Sequence, residues 1–126
     1  PQNTIAFFSS AHYIHKLELI VTRWVKNWTT RFEIQDGCFI ERIYVLITWL
    51  VEIRAMQIYL PYEHFLKQTS PELSLHSILK EEERHLKEMN DLRKKLFFVN
   101  DDDTLFSFLL EEEKYLFGAW FRKLQE

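Results

Sequence analysis

Glu82 and His85 occupy positions that a hydrophobic stripe should fill with apolar side chains. Between Leu73 and Phe97, the residues Leu75, Ile78, Leu79, Leu86, Met89, Leu92 and Leu96 recur at helical spacing. Continued through its middle, the stripe lands on Glu82 and His85. A carboxylate and an imidazole one turn apart and turned toward a core are costly unless something satisfies both. A metal ion is the commonest partner that takes the two together.

Groups like these need helices to position them. Three breaks divide the chain: Gln35-Asp36-Gly37-Cys38, Gln68-Thr69-Ser70-Pro71 and Asn100-Asp101-Asp102-Asp103-Thr104. Ser70 can cap a helix with Pro71 at its first position, and the carboxylates of the third break suit a helix N-terminus. The segments between breaks imply helices of roughly 35–45 Å at 1.5 Å per residue, and connections this short make consecutive helices antiparallel. The predicted architecture is all-α: an antiparallel, up-down-up-down four-helix bundle forming a single domain over residues 1–126. Pro61 is expected to kink the second helix or to close it.

Each helix has an acid inside its apolar series. The first reads Phe7, Ala11, Ile14, Glu18, Val21, Val25, Trp28, Phe32, with His15 one turn before Glu18. In the second, Glu52 follows Val45-Leu46-Ile47-Thr48-Trp49-Leu50-Val51 and shares a face with Thr48, Ala55 and Tyr59. The fourth carries Glu111-Glu112-Glu113 between apolar flanks. The Leu105, Leu109, Leu116, Ala119 series selects Glu112 as the inward acid, and the Phe106, Leu110, Phe117, Leu124 series selects Glu113; Glu112 is preferred. Measured from the breaks, these acids lie near mid-height of their helices, within about 5 Å of one another in level. Four carboxylates with one or two imidazoles are ligands that suit iron or manganese better than a structural zinc site.

The pattern Glu52-x6-Tyr59 followed by Glu82-x-x-His85 resembles one half of the repeated motif of ferritin-like di-iron carboxylate proteins, over about residues 45–97. The resemblance implies a ferritin-like bundle holding two Fe or Mn ions, with oxidoreductase activity toward oxygen or peroxide. It implies Glu52 as a terminal ligand, Glu82 as a bridging carboxylate, His85 as an imidazole ligand and Tyr59 as a phenol behind them. A second Glu-x-x-His is absent. His15-x-x-Glu18, in reversed order, and Glu112 stand in its place, so the expected metal set is Glu18, Glu52, Glu82, His85, Glu112 and His15.

Composition narrows the alternatives. A net charge of −3 gives no reason to expect nucleic acid. The single Cys38 fits a reducing, cytoplasmic setting. The most hydrophobic stretch, Ile43 to Ile53, is short for a bilayer and contains Glu52, so membrane insertion is not expected. Glu81 and Glu83 read as a solvated face, with Glu83–Lys87 a favourable i,i+4 pair. The Arg93-Lys94-Lys95 cluster serves the helix C-terminus, and His12, His64 and His76 read as surface or cap residues. The competing reading is a non-enzymatic helical interaction module. In it the inward acids pair with Arg or His, and an aromatic face around Phe117-Gly118-Ala119-Trp120-Phe121 packs a partner or a second copy, the latter as a homodimer. A third is a haem or small-molecule pocket using His85 or His15.

Overall fold

The structure, a computed structural model, describes residues 2–70 and 75–125, with residues 2–10 described by their backbone alone. It is all-helical: α1 (Gln2–Arg31), α2 (Phe39–Thr69), α3 (His76–Phe97) and, after a short 3-10 turn at Thr104–Phe106, α4 (Ser107–Leu124). There are no strands among the described residues. Within the span read as one domain, contacts cluster into two compact units, Pro1–Ile43 with Asn100–Glu126, and Tyr44–Val99.

In the first unit α1 packs along α4. Tyr13 meets Phe117 and Trp120, whereas Trp24 meets Phe106, so the two helices run in opposite senses. The buried row of α1 is Leu17, Val21, Val25 and Trp28. Leu17, not Glu18, takes the inward place one turn before Val21, and a residue one step round a helix faces about 100° away. Glu18 is therefore exposed, as are Ala11, Ile14 and Phe32; the Phe7 side chain lies outside the described residues.

Helix α1 ends in a hydrogen-bonded closure. Glu33 adopts a left-handed φ of 54°, its N–H donates to Thr30 (3.3 Å), and that of Ile34 donates to Thr29 (2.9 Å). Gly37, at φ 76°, then allows the reversal into α2. The turn is tied by the fully buried Arg42, whose guanidinium forks onto Asp36 at 2.8 and 2.5 Å and stacks 5.2 Å from the Trp28 ring.

In the second unit α2 and α3 also run oppositely: Trp49 lies against Arg93 near the end of α3, and Glu63 lies against Leu75 at its beginning. Pro61 sits inside α2 without closing it, and the helix continues to Thr69. The loss of one backbone hydrogen bond does not outweigh the rest of the helix. Pro71 lies outside the described residues. The described helix begins instead at His76, with the N–H of Leu75 donating to the buried carboxylate of Glu63, a favourable place for negative charge. At the far end Phe98, at φ 57°, closes α3 onto Lys94. Helix α2 is long and apolar enough to cross a bilayer by length and composition, well beyond Ile43–Ile53. Tyr44, Ile58, Tyr62 and Phe65 lie exposed along it.

Hydrogen bonds from Arg42 and then from the Cys38 N–H hold the Asp36 carboxyl at about 2, below its ordinary 3.8. A carboxyl depressed on folding contributes stability that is complete above its ordinary pKa and is lost as pH falls through the folded value. Asp36→Asn should therefore be less stable than the parent at neutral pH, with the difference shrinking between about pH 4 and pH 2. Urea midpoints followed by circular dichroism across that range measure it; a constant difference would refute the assignment.

Candidate metal centre

Helices α2 and α3 bring Glu52, Glu82 and His85 together. One donor atom from each can be chosen so that all lie within 4.8 Å of one another, and all three residues are half-buried. The local sequence explains the arrangement. Along α3 the inward row is Leu79, Glu82, Leu86, Met89, Arg93 and Phe97, spaced by three or four residues, with His85 on its edge. Glu52 faces it from the turn after Trp49, which is itself buried under Arg93 with the guanidinium 4.3 Å from the ring.

Glu52 is the least satisfied of the three. Its Oε2 is shut off from solvent and accepts no hydrogen bond. Donor atoms bound to one ion at about 2.0–2.2 Å stand roughly 3 Å apart, so a small inward swing of these side chains would close the set. His85 has other neighbours on its solvent side: its Nε2 lies 3.4 Å from Arg84 and 3.7 Å from Glu81. Arg84 in turn holds Glu81 at 2.7 Å and Glu88 at 2.9 Å, and the expected Glu83–Lys87 pair does not form among the described residues. The Arg84 contact is the first cause that lowers the Glu81 carboxyl.

The remaining predicted ligands stand elsewhere. Glu18 and His15 are exposed on α1. Glu112 is half-buried on α4, in a cleft of about 250 Å³ shared with Ile20, Arg23, Trp24, Asn27 and Phe108. All three belong to the other unit, and among the described residues the convergent group is Glu52, Glu82 and His85. Tyr59 is half-buried on α2, about 10 Å along the axis from Glu52, and its hydroxyl makes no hydrogen bond among the described residues.

Sequence reasoning misjudged or missed three polar residues. Glu113, not Glu112, is the buried acid of α4. The series Phe106, Leu109, Glu113 follows the buried face, and Tyr13 Oη donates to Glu113 at 2.6 Å. Arg93 is buried on Trp49 instead of serving the helix end, a role left to Lys94 and Lys95 in the last turn. Its position four before Phe97 was the available signal. Glu63 caps α3 from another helix, and nothing in local spacing announces that.

No family model, curated protein or solved structure matches this chain.

Two outcomes follow from the buried acids. Without metal, Glu52→Met should raise stability by about 1–2 kcal/mol, because it removes an unsatisfied buried oxygen and keeps the volume. Urea unfolding in a chelator measures the change, and a destabilised variant would mean that the carboxylate has a partner. Tyr13→Phe should cost about 2 kcal/mol by the same assay, since it strips a hydrogen bond from a buried carboxylate; a loss below about 0.5 kcal/mol would make the contact incidental.

Proposed function

We propose that the protein is a ferritin-like, metal-binding helical protein that holds iron or manganese through Glu52, Glu82 and His85. The observation that carries this reading is the Glu52 Oε2: an anionic oxygen out of solvent, without a donor, within reach of a second carboxylate and an imidazole. Burying such an oxygen is unfavourable unless a cation completes it. Two carboxylates and one imidazole favour iron or manganese. Three protein ligands also leave coordination positions open, as a catalytic centre requires and a closed structural one does not. When bound, the ion would supply Lewis-acid or redox chemistry toward oxygen or peroxide, while Glu52 would contribute a charge held by the surrounding apolar packing. The up-down-up-down bundle and an oxidoreductase activity are parts of this same proposal. Because Glu18, His15 and Glu112 stand outside the group, the geometry supports one ion more directly than two.

A helical interaction module is the second reading, favoured by the apolar side chains exposed along α2, among them Tyr44, Ile58, Tyr62 and Phe65. Metal content separates the two. After anaerobic loading with Fe(II) or Mn(II) and desalting, plasma mass spectrometry should find about one ion per chain. Glu52→Gln, Glu82→Ala and His85→Ala should each abolish retention, while Glu18→Ala leaves it unchanged. No retained metal, with the variants folding as well as the parent, overturns the metal reading and leaves the interaction module.

A further inference from the structure

A second group of donors lies in the other unit, at the α1–α4 contact. A half-open cavity of about 320 Å³ is lined by His12, Tyr13, Lys16, Leu116, Ala119, Trp120 and Lys123. This volume sits at the lower end of small-molecule sites, roughly 300–1,000 Å³. Its walls are an aromatic and aliphatic surface: the Tyr13 and Trp120 rings lie 6.2 Å apart with a 34° tilt, and Leu116 and Ala119 complete the face presented by α4.

The described polar groups around this surface are one-sided. No acid is among the described residues that line the cavity. Lys16 and Lys123 are exposed and make no ion pair among the described residues, and His12 is exposed beside them. The Trp120 Nε1–H is shut off from solvent and donates to nothing. Tyr13, by contrast, has already committed its hydroxyl to Glu113, so it offers the cavity its ring. A surface cleft between two solvated helices ordinarily mixes both signs of charge. This one offers two ammonium groups and an imidazole around an apolar floor, and the complement of that is a flat apolar body carrying one anionic group.

We propose that this cavity binds a small aromatic carboxylate. The ring lies on the Trp120, Leu116 and Ala119 wall, and the carboxylate turns outward to Lys16 and Lys123. Ala119 keeps the cavity open, because a larger side chain at that place on α4 would fill it. The site is independent of Glu52, Glu82 and His85, so it stands or falls separately from the metal reading.

Isothermal titration calorimetry with three probes of one shape tests this: 2-naphthoate, its neutral analogue 2-naphthylmethanol, and the cation 2-naphthylmethylammonium. Saturable one-site binding of the naphthoate is expected, with the alcohol about tenfold weaker and no detectable binding of the cation. Ala119→Leu should weaken the naphthoate at least about tenfold at unchanged helix content. Lys16→Gln with Lys123→Gln should weaken it comparably and flatten its salt dependence. Equal binding of the three probes, no naphthoate binding, or an Ala119→Leu variant that binds like the parent overturns the proposal.

Discussion

Taking a carboxylate or a guanidinium out of water costs several kcal/mol unless hydrogen bonds or an opposite charge replace the lost hydration. Within each of the two units the described helices meet around such replacements. Arg42 forks onto Asp36 and lies over Trp28 where α1 turns into α2. Arg93 lies over Trp49 where α3 meets α2, and Glu63 receives the N–H of Leu75 at the start of α3. Tyr13 reaches Glu113 where α1 meets α4. Leucine and valine rows can slide by a turn at small loss, whereas a directional polar contact survives at one register only. These four contacts therefore fix what the apolar packing leaves loose.

Against that background Glu52 is the exception. The fully buried carboxylates Glu63 and Glu113 each meet a donor, and the buried Arg93 is satisfied in part by Asn90 and the Trp49 ring, while the Glu52 Oε2 meets none of these. The residue lies only a turn from the best-packed part of α2, where Leu46, Trp49 and Leu50 are almost wholly buried. The other two acids of the triplet, Glu81 and Glu83, are exposed, and Arg84 pairs with Glu81 and with Glu88, which leaves Glu82 as the half-buried member that converges with Glu52.

How far the sequence could be read depended on whether a feature was local. The helices and their breaks were legible because Asp-Gly, the Asp run and helical periodicity act over a few residues. Glu52, Glu82 and His85 were legible because each interrupts an apolar run of its own helix. Glu18 was misread because two rows a single residue apart, through Glu18 or through Leu17, both contain Val21 and Val25; only the packed α4 chooses between them. The choice of Glu112 over Glu113 failed for the same reason, since Tyr13 lies a hundred residues away in sequence. Arg93 looked like a charge at a helix end because composition does not reveal that its stem and planar head can cover a tryptophan ring. Glu63 was invisible, being the cap of a helix other than its own.

The closures of α1 and α3 have a consequence for how this chain tolerates change. Both use a left-handed residue that carries a side chain, Glu33 and Phe98, where glycine is the residue of least strain. A left-handed conformation costs an ordinary residue about 1–2 kcal/mol. Each is thus a position where glycine would relieve backbone strain, set against the side-chain contacts and the unfolded-state entropy that it gives up. Proteins drift near a stability threshold and keep such improvements unused. Relief of that strain at both closures is of the same order as the cost of one unsatisfied carboxyl oxygen, so glycine there would offset what Glu52 loses.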